Sequence, residues 1–416
     1  MKVAIVGGGF TGLSSAVTLL DSGHSITIFE SGSSLGGLAS GFKIKGATWS
    51  LERYYHHIFD NDTDIKNLAN KIGHSAQMYS PITKVFLGGH TYQLDSPLSV
   101  LLFPKLPLLS RLHLGFGLAF LKFFPFGRFL EGFTATSILP LIVGKKGYAI
   151  IWEPLLKAKF GPYVDEVNLA WFWARVYKRT PKLGYFSGGF EELANKIGEY
   201  IKKHSGIIHL NSTIDKIEVL EAGSKFKIKD KVYDRVIITI PAPLASKLFT
   251  KRITNMPAIN YLWGQTLILE LYHSFQDSYW LNILDQKFPF LVSVQHTHLI
   301  NKSHYGNNHL LYLGNYLPDG DKRLKLTDRQ LLDLYLPFLK KINKNFDSSW
   351  IKSYHRFGAP FAQPVFPVNY SQLIPQMTTS IPGVYLANMS MVYPWDRGTN
   401  YAVKLGVDVA KLVGNF

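Results

Sequence analysis

Apolar residues along this chain recur with periods that switch between strand and helix. The run Val3 to Val6 is continuous and breaks on Gly7, Gly8, Gly9 and Gly12. Leu13, Ala16, Val17 and Leu20 then fall on one helical face, and a second apolar run, Ile26 to Phe29, ends on Glu30. The order is strand, glycine-rich turn, helix, strand, and then an acid roughly twenty residues past the glycines. Further on, Phe190, Leu193, Ala194, Ile197 and Ile201 mark another helix face. Ile207 to Leu210 and Ile214 to Val219 read as short strands, Lys225 to Lys229 alternates, and Asp234 to Ile240 reads as a buried strand before Pro241. Strands are expected at Leu267 to Leu271, Phe290 to Val294 and Leu310 to Tyr316. The helix after them opens on a capping box, Thr327 with Gln330, and Pro337 is expected to kink or end it. Near the C-terminus, Gly383 to Asn388 reads as a short buried strand. Ala402, Leu405, Gly406, Val409, Ala410 and Val413 mark one face of a closing helix, with Thr399 or Asn400 as its cap.

The first glycines have distinct mechanical tasks. Gly7 permits a tight turn, Gly9 lets the backbone approach a pyrophosphate, and Gly12 lets the helix pack closely on the strand. The helix start offers N–H groups and the positive dipole end to phosphate, and Glu30 can accept from a ribose hydroxyl. The pattern reads as a dinucleotide site. The segment after Glu30 separates NAD from FAD, because it is short, polar and glycine-rich where an NAD domain would have a crossover helix. Gly36 and Gly37, followed by Leu38, suit a second pass over the pyrophosphate and ribityl chain of FAD; a simple surface turn is the other reading. The closing strand, loop and helix make a second anion-friendly helix start. Arg397 just before it reaches either the pyrophosphate or flavin, or else a surface salt bridge. Ile214 and its neighbours are placed to flank the adenine.

Composition narrows the class. The 416 residues suffice for two or three domains, and 46% of them are hydrophobic, which excludes a disordered chain. There is no cysteine, so disulfides, iron–sulfur ligation and thiol chemistry are excluded. The formal charge is +16, yet the cations are spread along the chain with no dense run and no nucleic-acid module, so a nucleic-acid partner is not expected. Attraction to an anionic membrane face or an anionic substrate accounts for the charge better. The N-terminus has one lysine and an apolar start, but its complete strand–turn–helix pattern makes it a domain core rather than a targeting signal.

Residues 97 to 152 are rich in Leu, Phe, Gly and Pro, interrupted by Lys105, Arg111, Lys122 and Arg128. No window of about eighteen uninterrupted apolar residues exists there, so a transmembrane helix is not expected. Two readings stay open: a helical cap with an apolar inner face, or a monotopic patch dipping into a bilayer with its cations at the headgroups. Among the histidines, His296 and His298 would share one face of a strand, a spacing zinc could use. With no cysteine and no carboxylate partner, no metal site is assigned. Tyr54, Tyr55, His56 and His57 follow the glycine doublet by about twenty residues, so they either line the flavin pocket or simply pack. On a strand only one histidine of the pair would face the ring.

At this level the chain resembles the FAD-dependent amine oxidase, protoporphyrinogen oxidase and phytoene desaturase superfamily, and within it a bacterial and archaeal protoporphyrinogen oxidase-like branch. The likeness runs nearly end to end. It rests on VGGGFTGLSSA, FESGSSLGGLAS, LERYYHHIF, WEPLLKAKFG, GYFSGGFEEL, QHTHL, LLYLGNY, AQPVFP and NMSMVYPWDRGTNYAVKLG. It implies FAD contacts at Gly7, Gly9, Gly12, Glu30, Gly36, Gly37, Arg397 and Asn400. Two departures stand out: Ala387-Asn388 where many relatives have Gly-Asp or Gly-Glu, and Leu38 where many have a basic residue. Asn388 can still hydrogen-bond to the cofactor.

The expected architecture is an α/β fold. A discontinuous Rossmann-type FAD-binding domain (1–75, 186–250 and 376–416) is paired with an α+β substrate domain carrying a helical apolar cap (76–185 and 251–375). The expected function is an FAD-dependent oxidoreductase passing a hydride between a C–H or C–N bond of a lipophilic small molecule and flavin N5. His56 or His57 would assist proton movement, with Tyr55 shaping the ring environment. The alternatives are a redox-neutral isomerase of a nucleotide or lipid-linked sugar, like UDP-galactopyranose mutase, or a flavin-stabilised scaffold. The expected location is cytoplasmic, or peripheral at the inner face of the membrane; oligomeric state is not fixed by the sequence.

Overall fold

The computed structural model describes residues 1–220, 225–249, 258–395 and 398–414. Its organising element is a five-stranded parallel sheet. Lys2–Val6 lies beside Ser25–Phe29 on one side and Arg235–Ile238 on the other; Ile207–His209 and Val384–Leu386 form the edges. Buried on both faces, the three central strands are nearly continuous in apolar residues. Val3 and Ile5 point into a core shared with the helices, whereas Ala4 and Val6 point into a smaller core under an antiparallel meander of Glu218–Leu220, Lys225–Ile228 and Lys231–Tyr233. The stretch from Ile214 is extended only from Glu218, so the strand expected at Ile214 starts late.

The first helix, Phe10–Asp21, packs on the closing helix, Thr399–Gly414, closely enough for side chain to meet backbone. Ser14 Oγ donates to the Val403 carbonyl and Ser15 Oγ to the Gly406 carbonyl, both at 3.0 Å. A methyl group on Gly406 would collide with the Thr11 carbonyl and Ser14 Oγ, so glycine is required there by space.

A seven-stranded mixed sheet forms the second layer. Tyr261–Leu271 lies between Ile351–Pro364 and His309–Pro318, and the sheet continues through Val292–Gln295, Trp280–Ile283 and Thr83–Leu87 to His90–Gln93. Alternation divides its two faces. Leu267, Leu269 and Leu271 pack under the helix Asp328–Ile342, while Ile268 and Tyr312 face the core shared with the nucleotide sheet. Thr327 and Gln330 form the capping box of that helix. Pro337 does not end it: the helix runs on to Ile342 with the proline exposed inside it.

Residues 97–178 form a helical cap with its own core around Leu114, Leu121, Leu139, Phe160, Trp171 and Trp173. Its outer surface is apolar. In the helix Leu108–Phe123, Leu114, Gly117 and Leu121 face inward, while Leu108, Leu109, Phe116, Phe120 and Phe123 are exposed. The expected apolar inner face exists, and a second apolar face covers the outside. Among the described residues, no helix is long and apolar enough to cross a membrane.

Candidate active site

The glycine turn closes as a cradle of bare backbone. Gly7 has a φ of 113°, and a methyl group on Gly12 would collide with the Gly7 carbonyl. Gly36 donates its N–H to the Gly8 carbonyl at 2.9 Å and forms a bridge with Gly9. A methyl group on Gly37, at φ 59°, would lie 3.3 Å from the Gly9 Cα. The two glycine segments thus touch, and Leu38 sits half-buried in the turn Gly37–Ala39 that follows. Gly9 is the N-cap of Phe10–Asp21 and no side chain caps the first amides of that helix, which leaves them to a phosphate. At the end of the second strand, Glu30 Oε2 accepts from Gly8 N at 2.6 Å and Oε1 from Gly32 N at 2.7 Å. The carboxylate is fixed beside the turn with lone pairs remaining for a sugar hydroxyl.

Across the sheet, Asn388 follows the strand Val384–Leu386 and is buried. Its Oδ1 accepts from Ser390 N at 3.1 Å and Ser390 Oγ at 2.6 Å, while Nδ2 has no partner within the protein. A buried donor without a partner is costly unless a ligand supplies the acceptor. The glycine cradle and this donor fit a bound dinucleotide. Ile214 is half-buried against the core of the meander. Asn400 serves a different helix. Its Oδ1 accepts from Ile65 N at 3.1 Å and its Nδ2 donates to Asp64 Oδ2 at 3.2 Å, so it caps Thr63–Lys71 from within the first turn of the closing helix. It is therefore not the cap of its own helix. Arg397 lies outside the described residues.

Residues 53–57 are irregular backbone, not a strand, so strand alternation does not decide their orientation. Tyr55 packs edge-on to Trp280 and Tyr312, at 5.0 and 6.1 Å, and rests over Gly314, where a methyl group would press on its ring. The two histidines diverge. His56 lies 5.6 Å from Phe190 with Nδ1 2.6 Å from the Tyr54 carbonyl, which makes Nδ1 the protonated nitrogen and Nε2 the basic one. His57 lies among Phe59, Tyr279 and Trp280 with Nδ1 3.3 Å from the Tyr279 hydroxyl. His296 and His298 do not converge either: they fall in a tight turn after Val292–Gln295. His296 is buried 2.9 Å from the Tyr305 hydroxyl, and His298 is 2.6 Å from the Gln276 carbonyl. Among the described residues no three His, Asp or Glu side chains gather as metal ligands.

Beneath this layer is a group that sequence reasoning missed. Glu52 is fully buried, accepting from the Tyr185 hydroxyl at 2.5 Å and Phe190 N at 2.7 Å. Burial pushes its carboxyl up to about 7 despite those two donors. Burial likewise pushes His296 down to about 3, so it is neutral at physiological pH. In the sequence Glu52 stands beside Arg53 in SLERYY, and no local pattern marks it as buried. Two rings, Tyr316 and Trp395, are half-buried against both the nucleotide-side core and the cap core, so they mark the seam between them. Trp395 stacks on Tyr401 at 5.8 Å, in the first turn of the closing helix, and packs against Trp173 at 5.6 Å. The seam therefore runs from the cap to the start of that helix. A separate pocket of about 530 Å³ lies off this line, lined by residues that include Trp49, Tyr79, His298 and His304.

This sheet order, glycine cradle and second layer define a two-layer flavoprotein. Residues 10–413 match the model of the flavin-containing amine oxidoreductases, and the chain belongs to that family. By class it is a flavin-dependent oxidoreductase, and its cofactor is FAD. A zeta-carotene desaturase of Capsicum annuum is 38% identical over 73 residues, 18% of this chain and 12% of that protein. The match thus spans about an eighth of the curated relative. Among solved structures, one provisionally assigned as a protoporphyrinogen oxidase, from Exiguobacterium sp. 255-15, is similar with a TM-score of 0.77 at 16% identity, covering 100% of this chain and 98% of that one. Reduced UDP-galactopyranose mutase is similar with a TM-score of 0.74 at 14% identity, covering 99% and 95%.

Proposed function

We propose that this protein oxidises or reduces an apolar or amphiphilic small molecule held in the seam between the nucleotide layer and the cap. Gly7, Gly9, Gly12, Glu30, Gly36, Gly37 and Asn388 hold the cofactor, with Leu38 and Ile214 as apolar neighbours. Bound FAD supplies a hydride acceptor, or donor, at N5. The side chains of the chain bind, orient and exclude water: Trp395 and Tyr401 form an apolar wall backed by the buried Trp173, and Tyr55 fixes the adjoining surface. His56 Nε2 is positioned to take or return a proton, and His57 Nδ1 to share one with Tyr279. The observation that carries this reading is the pair Tyr316 and Trp395, aromatic rings packed on both cores at once.

The exposed apolar helices of the cap support peripheral attachment to a bilayer, from which a lipophilic substrate would be drawn. The likeness to UDP-galactopyranose mutase favours one second reading, redox-neutral isomerisation of a nucleotide or lipid-linked sugar. Anaerobic spectroscopy of the purified protein tests both. An oxidoreductase bleaches its flavin stoichiometrically with a donor. An isomerase turns over many times on a single reduction, and a protein that stays colourless with added FAD refutes the proposal.

A further inference from the structure

Arg53 is a half-buried cation at the junction of the two layers. Its backbone is tied to both. The N–H donates at 3.2 Å to the carbonyl of Ser40, just past the glycine doublet, and the carbonyl accepts at 2.6 Å from Thr266 Oγ1 of the second sheet. The side chain runs to that sheet, where the guanidinium carbon lies 5.8 Å from the centre of the Phe357 ring. Phe357 stands opposite Thr266, and Phe42 packs on it at 4.8 Å. Among the described residues, the buried Nε of Arg53 has no hydrogen-bond partner. The next residue, Tyr54, lays its ring on Gly264, where an added methyl group would be 3.6 Å away, and Gly264 is paired with the seam residue Tyr316. Burial pushes the Tyr54 hydroxyl up while the Arg53 charge acts against that rise, so the cation stands within electrostatic reach of the phenol.

The carboxylates of the surrounding elements are engaged elsewhere. Glu52, the preceding residue, turns to the Tyr185 hydroxyl and Phe190 N. Glu270 shares a strand with Thr266 but lies about 13 Å further along it, and it is bonded to His355 Nε2 and Asn308 Nδ2, both at 2.8 Å. The strands Ile351–Pro364 and His309–Pro318 contain no Asp or Glu. Neither does the stretch from Gly41 to Ser50, which adds Lys43 and Lys45. A guanidinium with a buried, unbonded N–H costs stability unless a ligand supplies the acceptor. Its planar fork matches the paired oxygens of a carboxylate or a phosphate. The cofactor's pyrophosphate has the bare amides of the glycine cradle on the other layer, whereas this guanidinium lies on the second sheet.

We infer that Arg53, beside Tyr54, seats an anionic oxygen group, a carboxylate or a phosphate, of the small molecule bound in the seam; this rests on the reading proposed above and gives that molecule its charge. The flavin-loaded protein is titrated by calorimetry with octanoate, octyl phosphate and 1-octanol. One or both anions bind at least about 10-fold tighter than the alcohol, and the stronger one separates carboxylate from phosphate. Arg53→Met keeps an apolar stem on Phe357, removes the preference, and leaves the affinities for 1-octanol and FAD within about 2-fold. Without a probe, Arg53→Met melts at or above the wild-type temperature, because an unpaired buried charge is gone. The preferred anion raises the melting temperature of the wild type and not that of the variant. A variant that melts well below wild type overturns the inference, because the guanidinium is then already paired within the protein. Survival of the anion preference in Arg53→Met seats the anion elsewhere and overturns it too. So does a loss of FAD affinity with the preference intact, which gives Arg53 to the cofactor. Calorimetry needs no turnover, so a flavin that no donor reduces refutes the oxidoreductase reading while the anion preference is still measured.

Discussion

The Tyr185 hydroxyl donates to Glu52 Oε2 at 2.5 Å with both side chains buried. Near it His296 lies with its ring 5.3 Å from that of Tyr185. The two titratable groups are shifted in opposite senses by the same cause. Burial lifts the Glu52 carboxyl from 4.5 to about 7 and drops the His296 imidazole from 6.5 to about 3.

Their effects on stability oppose each other. Between about pH 4.5 and 6.5 the unfolded chain carries one proton on the imidazole and none on the carboxyl, while the folded chain carries one on the carboxyl and none on the imidazole. The raised carboxyl contributes stability present at low pH and lost as pH rises through about 7; the depressed imidazole contributes stability lost as pH falls. In that window the two cancel. Glu52→Gln leaves His296 alone, so stability relative to wild type rises with pH, by up to about 1.4 kcal/mol per pH unit. His296→Asn leaves Glu52 alone and slopes the other way. Urea unfolding at several pH values across the window measures both. Variants whose profiles run parallel to wild type would show that the pair is not shifted as described.

Glu30 and Gly37 test the cradle. Glu30→Gln replaces one acceptor by an amide N–H facing a backbone N–H, and Gly37→Ala places a methyl group 3.3 Å from the Gly9 Cα at a positive φ. Each is expected to weaken FAD binding by about 10-fold or more, on the order of 1–3 kcal/mol. Titration of apoprotein with FAD, followed by flavin fluorescence, gives the affinities directly. Wild-type affinity in both variants would remove the glycine doublet and the acid from the cofactor site.

Asn400 separates a cap from a cofactor contact. The resemblance to flavoenzymes places it at FAD, yet both ends of its amide are engaged with Asp64 and Ile65 N. Asn400→Ala should cost about 1 kcal/mol of stability, as loss of a helix cap does, with FAD affinity within about 2-fold of wild type. A large loss of FAD affinity with no change in melting temperature would reverse that assignment.

Local pattern made some of this molecule legible and hid the rest. The strand, glycine turn, helix and Glu30 were readable because backbone sterics dictate those residue types at that spacing. The capping box at Thr327 and Gln330 was readable for the same reason. Pro337 does not end its helix, because a propensity for breaking helices yields to tertiary packing: Leu332, Tyr335 and Leu339 of that helix are buried on the sheet, and the exposed proline costs one hydrogen bond. His296 and His298 misled because a shared strand face was assumed where the chain turns. Glu52 and the seam marked by Tyr316 and Trp395 could not be read at all. Their partners lie far away in sequence, and no local period records a meeting of distant segments.

The cap gives the last prediction. Its helix Leu108–Phe123 satisfies a core with Leu114 and Leu121, yet Leu109, Phe116 and Phe123 are 80%, 74% and 80% exposed, and Phe129 beyond it 79%. Contiguous exposure on that scale marks an interaction surface. Lys105, Arg128, Lys145 and Lys146 are exposed around it, and from Ser96 to Trp152 the only acid is Glu131, which is bonded to Ser371. Apolar side chains ringed by cations match an anionic bilayer, with each deeply buried side chain contributing roughly 1.5–3 kcal/mol and each lysine near the surface about 1 kcal/mol. Phe116→Asp, Phe123→Asp and Phe129→Asp together remove apolar contacts and add three negative charges. The triple variant should fold normally, because exposed positions shift stability by only about 0.5 kcal/mol each. Flotation with vesicles containing phosphatidylserine should then show at least about a 10-fold loss of binding, with wild-type binding falling as salt is raised. Binding unchanged by the triple variant would leave the apolar face unexplained by membrane attachment. Equal wild-type binding to neutral vesicles would remove the role of the cations and leave only the apolar contribution.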